Sequence, residues 1–351
     1  MKKIGSYVVI FLVFVSLGLI LWNFFPSKTV SLSTAVVPAS KEGSVSEKFI
    51  NEPIQPVPFS IELDTKKVSL GNRLFNDVQL SRNGTVSCAT CHNLAKGGTD
   101  RLAVSKGMSD ALGEVNAPTV FNSGFNFKQF WDGRADTLEE QVEGPLHNTK
   151  EMDGVEWPVL VAQLSKDPNY VASFNSSYPG EGITQASIKS AIAEFERSLI
   201  TSNSRFDRYL RGDETAIDAH EKEGYRLFKD FGCVVCHQGV NVGGNMFQSF
   251  GKFGDYFADR GNIKKADFGR MNVTNLERDR YKFKVPSLRN IELTYPYFHD
   301  GTAQTLDQAV QVMAKYQLGM ELQQSEADAI IAFLKTLTGE YEGRSVAVSE
   351  K

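Results

Sequence analysis

Cysteine, histidine and excess positive charge are all scarce in this chain. Its 351 residues include only 4 cysteines and 5 histidines, and the formal net charge is −4. Without a basic excess the chain lacks the attraction to phosphates that nucleic-acid binding needs, which excludes that class of function. Strand-like alternation of apolar and polar residues is also scarce and short. The predicted fold class is therefore mainly α.

All the cysteines lie in two copies of the pentapeptide Cys-x-x-Cys-His. The first copy contains Cys88, Cys91 and His92, and the second contains Cys233, Cys236 and His237. Two thiols at this spacing can add to the two vinyl groups of one porphyrin, and the histidine that follows can then bind the iron. We therefore predict two covalently bound haem c groups and a redox function.

Paired cysteines have two other common uses besides haem attachment. The cysteines could hold one structural zinc ion, with the histidines incidental, or they could act as thioredoxin-like dithiols. Neither use explains why a histidine directly follows both pairs in a chain with 5 histidines. The haem interpretation is favoured for this reason.

An apolar segment near the N-terminus predicts a membrane anchor. Lys2 and Lys3 precede residues 4–25, which contain no charged side chain. At about 1.5 Å per residue, such a helix can cross a hydrocarbon core of roughly 30 Å. A cleaved signal peptide, the alternative, normally has an apolar run of about 7–15 residues. The two lysines favour a cytoplasmic N-terminus, so we expect an inner-membrane anchor with the catalytic domains in the periplasm.

An internal repeat predicts two cytochrome-c-like domains. Residues 71–77 precede the first haem motif and the similar residues 224–230 precede the second. The predicted segments are a cytoplasmic N-terminus and transmembrane helix (1–26), a flexible periplasmic tether (27–58), an N-terminal haem domain (59–211), a C-terminal haem domain (212–340) and a tail (341–351).

Two helices are predicted from apolar spacing within these domains. One buries Ile188, Ala191, Ile192, Phe195 and Leu199 before the domain boundary. The other is the last helix, which is expected to begin at Ser325 with Asp328 completing a capping box, and to bury Ile330, Ile331, Leu334 and Leu337. This last helix could also pack on the N-terminal domain.

Several segments resemble the bacterial dihaem cytochrome c peroxidases. The matching segments, in the order and spacing of that family, are residues 91–94, 116–119, 129–135, 286–290, 297–299 and 309–313. The resemblance extends from about residue 60 to 340. It implies that the haem on His92 is the peroxidatic centre, and that the haem on His237 is the high-potential centre that receives electrons from a donor.

The resemblance also implies roles for individual residues. Met313 would be the second axial ligand of the haem on His237, although position alone leaves open an ordinary core methionine. Trp131 would lie between the haems, and Glu151 would be the acid–base group for peroxide cleavage. Gln141 would be its polar neighbour and Pro145 would shape the loop. Without the resemblance, Trp131 would be interpreted as a core aromatic and Glu151 as a solvated charge.

Two further family features bear on metal ligands. Asn116, Thr294 and Pro296 correspond to calcium ligands between the domains, and three protein oxygens with water suit such a hard cation. Many family members carry a histidine ligand sixteen residues after the peroxidatic histidine, where this chain has Met108. Met108 either ligates the iron, or leaves the haem open, or is a loop methionine without contacts. His299 is expected to be a hydrogen-bonding residue near a haem edge.

The leading functional prediction is a cytochrome c peroxidase that reduces hydrogen peroxide to water. The alternatives are a dihaem oxidase that modifies a partner protein and a non-enzymatic dihaem electron carrier. Oxidase relatives have tyrosine in place of the C-terminal methionine ligand, so Met313 argues against an oxidase, although Tyr316 lies three residues on. The expected electron donor is a small cytochrome c, a cupredoxin or a quinol-linked protein. A homodimer is an assembly that the sequence leaves open.

Overall fold

Helices dominate the part of the chain that the structure, a computed structural model, describes: residues 44–154 and 156–347. The α-helices are α1 Thr65–Phe75, α2 Cys88–Cys91, α3 Leu138–Gln141, α4 Glu143–His147, α5 Trp157–Leu164, α6 Pro168–Ser177, α7 Gln185–Ser198, α8 Arg205–Leu210, α9 Ala219–Asp230, α10 Tyr256–Arg260, α11 Met271–Thr274, α12 Leu306–Met313 and α13 Gln324–Lys335. The mainly α prediction is confirmed.

The remaining regular structure is short. The strands are β1 Phe247–Ser249, paired antiparallel with β2 Lys282–Lys284, and β3 Glu340–Tyr341, paired antiparallel with β4 Arg344–Ser345. The 3-10 turns are Glu47–Phe49, Val78–Leu80, Leu94–Lys96, Met108–Asp110, Ser123–Phe125, Cys233–Val235, Lys265–Phe268, Glu277–Asp279 and Ile291–Leu293, and a π-helical turn spans Ala314–Leu318. Within the described ranges no helix is long and apolar enough to cross a membrane. The predicted anchor at residues 4–25 lies outside those ranges.

The first half of the molecule is built on the crossing of α1 with α7. Asp64 caps α1 by accepting hydrogen bonds from the backbone of its first turn, and the apolar face of that helix turns inward. Gly71 marks the point of closest approach, because a Cβ there would lie 1.9 Å from the carbonyl oxygen of Ala191. The residues predicted to be buried on α7 are buried, and Leu199, just past its end, is buried as well.

The second half repeats this crossing with α9 and α13. A Cβ at Gly224 would lie 1.9 Å from the carbonyl oxygen of Ala329. The predicted start of the last helix is wrong in detail, because α13 begins at Gln324 and its capping box joins Gln323 to Glu326. Ile331 is only half-buried, and Phe333 is the fully buried residue of that turn.

Both ends of the described chain cross to the opposite half. Residues 44–58 do not form the predicted flexible tether, because Phe49 and Ile54 are buried in the second half, and Val57 is fully buried as well. The backbone N–H of Gln55 donates to the carbonyl of Gly239 at 3.3 Å. Since the apolar side chains of this segment are spaced irregularly, the sequence showed no helical pattern to reveal their burial.

The described part of the predicted tail, residues 341–347, also packs on the rest of the molecule. The last helix packs on α9, within its own half, while β3 and β4 reach the first half. There the ring of Tyr341 lies 5.4 Å from that of Phe121, and Val346 is buried beside Phe75. The exchange of ends ties the two halves into one compact unit.

The junction between the halves is polar and fully buried. The Thr201 hydroxyl accepts hydrogen bonds from the amides of Asn122 at 2.7 Å and Asn290 at 3.0 Å, one from each half. The Arg289 guanidinium pairs with Asp207 at 2.8 Å, and neither side chain is exposed. Because a buried charge is costly without its partner, these contacts hold the halves in one relative position.

Candidate active site

The first haem motif forms helix α2 and the turn after it. The side chains of Ser87 and Thr90 cap the helix reciprocally with backbone N–H groups. The ring Nδ1 of His92 lies 3.3 Å from the carbonyl oxygen of Gly98. A proton on Nδ1 donated to this oxygen leaves Nε2 with a free lone pair. Burial lowers the pKa of His92, which favours the neutral imidazole that a metal ligand must be.

The second motif is a 3-10 turn, but it orients its histidine in the same way. The Nδ1 atom of His237 lies 3.2 Å from the carbonyl oxygen of Val242, and burial lowers the pKa of His237 to about 4. The four cysteines are free thiols and only partly exposed. Each motif therefore presents two thiols and one oriented imidazole, which is the donor set that haem c requires.

The donor atoms do not suit a shared zinc ion. Within residues 44–154 and 156–347, the one set of three or more cysteine, histidine or acidic ligand atoms converging within 4.8 Å is Asp267, His299 and Asp300. No cysteine belongs to it. Arg260 already pairs with Asp267 at 2.6 Å and also with Asp300, so the charges in this set are compensated.

A cavity opens beside the first motif. Its lining residues are Leu80, Val86, Ser87, Cys88, Cys91, His92, Gln141, Val142, Pro145, Leu146, Glu151, Met152, Ile192 and Glu196. The structure thus brings three residues named from the resemblance, Gln141, Pro145 and Glu151, to the motif that precedes them in the chain. The apolar side chains of the wall suit a porphyrin face, and the thiols, His92 and the other polar side chains face the same space.

Glu151 is a partly buried carboxylate in this cavity. The amide of Asn148 donates to Glu151 Oε1 at 2.7 Å. Burial raises the pKa of Glu151, while the charge of Arg134 and the hydrogen bond from Asn148 oppose the rise. A carboxyl group with a raised pKa holds a proton more readily than an exposed one, and an acid–base catalyst must both accept and release a proton.

Met108 lies close behind the Glu151 loop. Its side chain is only 9% exposed and belongs to the cluster that contains Leu146 and Met152. Its backbone N–H donates to the carbonyl of Glu151 at 2.9 Å. Met108 is therefore not a loop methionine without contacts, and of the three hypotheses the structure removes that one. Iron ligation by Met108 stays a prediction.

Trp131 sits where the two halves meet. Its indole N–H donates to the carbonyl of Asn116 at 2.9 Å, and its own carbonyl accepts from the backbone of Lys284 at 2.8 Å. Its ring packs edge-on against His299, with centroids 6.4 Å apart. As expected, His299 is a buried hydrogen-bonding residue, with Nε2 lying 2.7 Å from Asp267.

The structure shows where the other predicted metal ligands lie, but their contacts do not show whether they bind a metal. Met313 is the last residue of α12 and is half-buried, just before the π-helical turn. The amide nitrogen of Asn116 donates to the carbonyl of Leu102 at 2.8 Å, and the Thr294 hydroxyl donates to that of Ile291 at 3.3 Å. Pro296 follows a cis peptide bond. Calcium binding stays a prediction.

Among the buried ionisable residues that the sequence does not single out, two lie in or near the proposed haem sites or at the junction of the halves. Glu196 lines the cavity and is 6% exposed, and Lys284 in β2 is also 6% exposed. Burial alone lowers the pKa of Lys284 to about 8. The signal for Glu196 was present, because it follows the apolar residues Ile192 and Phe195 on the same helix, where a charged side chain interrupts the buried face.

Comparison with known proteins decides the family. A family model described as di-haem cytochrome c peroxidase matches residues 65–215, and one described as cytochrome c matches residues 221–338. The cytochrome c551 peroxidase of Nitrosomonas europaea is 47% identical over 290 residues, which are 83% of this chain and 85% of that protein. The chain belongs to the bacterial dihaem cytochrome c peroxidase family.

Two other relatives agree with this assignment. The cytochrome c peroxidase Ccp of Escherichia coli is 50% identical over 291 residues, or 83% of this chain but only 62% of that longer protein. A crystal structure of a MauG-like protein associated with microbial copper homeostasis has a TM-score of 0.72 and 31% identity, covering 84% of this chain and 95% of the other. The predicted family and enzyme class are confirmed, and two haem c groups are supported.

Proposed function

We propose that this family member is a periplasmic dihaem peroxidase that reduces hydrogen peroxide to water. Electrons from an external donor enter at the haem of His237 and Met313 and are used at the haem of His92. The observation that carries the proposal is the cavity itself, where the partly buried Glu151 and the amide of Gln141 share one space with the first haem motif. An electron carrier has no use for an acid–base group there.

The protein residues at this cavity have a defined proton task. Cys88, Cys91 and His92 would hold haem c, which would supply the iron that binds peroxide and passes electrons to it. Glu151 takes the proton from one peroxide oxygen and returns it to the other, and Gln141 orients the peroxide by hydrogen bonding. Two electrons and two further protons then complete two water molecules. Proton transfer of this kind typically contributes about 10²–10⁴-fold to the rate.

The route between the halves passes Trp131. Its side chain contacts Asn116 of its own half, and its backbone accepts a hydrogen bond from Lys284 of the other half. This position supports an aromatic bridge between the two haems. A calcium ion bound by Asn116, Thr294 and Pro296 would then stiffen the same junction. The proposed donor is a small cytochrome c, a cupredoxin or a quinol-linked protein.

Attachment to the inner membrane is part of the proposal. The uncharged residues 4–25 after Lys2 and Lys3 support it. Cell fractionation of the full chain checks this directly. A membrane fraction released only by detergent is expected, whereas a soluble periplasmic form without residues 1–26 contradicts the anchor.

The central experiment measures peroxide consumption by the full chain with both haems attached. Reduced cytochrome c is the donor, and two molecules should be oxidised for each peroxide. An EPR spectrum of the same preparation, before and after one-electron reduction, counts low-spin and high-spin irons. Absence of turnover together with two low-spin irons at all stages would replace the peroxidase by an electron carrier. Met108, buried close to the Glu151 loop, is the residue that would favour that outcome.

A further inference from the structure

Glu196 is a buried acid with an unsatisfied oxygen. It lies on α7, is 6% exposed, and its Oε2 atom has no hydrogen-bond partner among the described residues. The side chain lines the same cavity as Cys88, Cys91 and His92. A buried carboxyl oxygen without a hydrogen-bond partner costs stability, so its presence at this position needs an explanation.

The internal repeat shows which residue occupies the equivalent position in the second half. In the first half, α7 crosses α1 at Ala191, and Glu196 follows five residues later. In the second half, α13 crosses α9 at Ala329, and Leu334 follows five residues later. The same point of the fold is therefore acidic beside the first haem motif and apolar beside the second.

The groups that face Glu196 compensate its charge only in part. Its neighbour Arg197 pairs with Glu139 of α3 at 2.5 Å and with Glu194 at 3.2 Å, so two other carboxylates share that guanidinium. Helix α1 presents buried apolar residues, and the cavity adds the neutral ring of His92 and the acid Glu151. Burial raises the pKa of Glu196 to about 8, Arg197 opposes the rise and Glu139 adds to it.

The pKa of the first cysteine also shows that Glu196 lies close to the haem-attachment site. Burial, and after it the charge of Glu196, raises the pKa of the Cys88 thiol to about 12. In the holoprotein this sulfur is the thioether that joins the porphyrin to the chain. The carboxyl group therefore lies within electrostatic reach of whatever charge the bound haem carries.

We propose that Glu196 makes the N-terminal haem lower in potential and couples its reduction to the uptake of one proton. The inference rests on the haem attachment in the proposed function but not on peroxidase activity. A ferric haem carries one more positive charge than a ferrous haem, so the oxidised site favours the ionised carboxylate and the reduced site favours the neutral acid. Linkage makes the effect reciprocal, because an ionised Glu196 disfavours reduction.

The charges in this step balance. One electron arrives from the C-terminal haem, and one proton passes from solvent to the Glu196 carboxylate, so the net charge of the buried site is unchanged. At the C-terminal haem, Leu334 offers no such group. The two haems should therefore differ both in potential and in the dependence of potential on pH.

The test is a spectroscopic redox titration of the full dihaem protein between pH 6 and 9. For each unit by which the pH rises, the equilibrium constant for reduction of the N-terminal haem should fall by up to tenfold in the unmodified chain. This corresponds to a decrease in potential of about 59 mV for one electron. Glu196→Gln keeps the shape but cannot ionise, so the potential of that haem should rise and its pH dependence should flatten. Leu334→Glu is the reciprocal change and should give the C-terminal haem a new pH dependence.

An infrared difference spectrum of the unmodified protein, reduced minus oxidised, provides a test without substitution. A protonated carboxyl band that shifts with ¹³C-labelled glutamate should appear on reduction. The proposal is overturned if Glu196→Gln leaves both the potential and its pH dependence unchanged, or if no such band forms. Loss of peroxide turnover with an unaltered titration would implicate the proposed function and not this coupling.

Discussion

The two halves of the molecule are built on one plan and differ where chemistry is expected. Both cross two helices at a glycine, both orient the motif histidine through a carbonyl oxygen, and both place an asparagine with positive φ beside Thr201. The halves also exchange backbone hydrogen bonds reciprocally. Asn116 donates to the carbonyl of His299 at 2.7 Å, as Lys284 donates to that of Trp131 at 2.8 Å.

The differences fall in one region of each half. Thr137 and Thr305 cap corresponding helices, with backbone N–H groups donating to their hydroxyls at 3.1 Å and 3.2 Å. Eight residues after each cap, the first half has Pro145 and the second has Met313. Proline has no side-chain ligand atom, whereas the methionine thioether can bind iron. The proposed open site and the proposed closed site would thus share one scaffold, and four predictions test this contrast.

The largest effect is expected from removing one haem. Cys88→Ser with Cys91→Ser should lose one haem mass and abolish peroxide turnover, because the proposed site of reaction is gone. Cys233→Ser with Cys236→Ser should also lose one haem, but should block only electron entry from the donor. Mass spectrometry and turnover with a small chemical reductant distinguish the two. Equal behaviour of the two double variants would remove the proposed division of labour.

The next effect is expected at the acid–base residue. Glu151→Gln should lower peroxide turnover by about 10²–10⁴-fold while haem content and reduction by the donor persist. Burial raises the pKa of Glu151, and the ionised form is the base, so turnover of the unmodified enzyme should fall as pH decreases through that raised value. Steady-state rates across pH measure both effects.

Glu140→Gln is the matched control, since Glu140 is a glutamate close to Glu151 in the sequence that does not line the cavity. The Glu140→Gln variant should reduce peroxide at the rate of the unmodified enzyme. Near-normal turnover of Glu151→Gln would show that another residue moves the proton.

A smaller effect is expected at the second axial position of the C-terminal haem. Met313→His should keep the haem but lower its potential, because imidazole stabilises ferric iron more than a thioether does. Donor-driven turnover should fall accordingly. Potentiometry measures the shift, and Lys315→His, an exposed position two residues on, provides the comparison. Unchanged potential and turnover in Met313→His would make Met313 a core residue only.

The smallest effect on turnover should come from the shared helix crossings. In Gly71→Ala and in Gly224→Ala the new Cβ would lie 1.9 Å from a backbone carbonyl oxygen, so the helices must separate. Overpacking of this kind costs about 1–3 kcal/mol of unfolding free energy. Denaturant unfolding should show a similar loss for both, and no loss for the exposed Ser69→Ala. A loss confined to one variant would show that the halves do not share the same packing.

Local sequence was sufficient wherever the chemistry lies in consecutive residues. Each haem motif needs only five residues in a row, and the helical face of α7 follows from spacing alone, since a buried stripe repeats every three to four positions. The predicted start of α13 is one residue later than the observed start. The reason is that Gln323 caps the helix, and glutamine is not a preferred capping residue.

Tertiary contacts decided the rest. Residues 44–58 and 340–346 pack on the halves opposite to their place in the sequence, and no local pattern specifies which distant surface will cover them. Glu196 became a candidate only when the fold placed it against the first motif, because periodicity tells which face is buried but not what that face contacts. The sequence by itself determined the two haem-attachment motifs and the mainly α fold class. The fold decided which charges share a low-dielectric cavity with them, since burial and pairing depend on contacts between residues far apart in the chain.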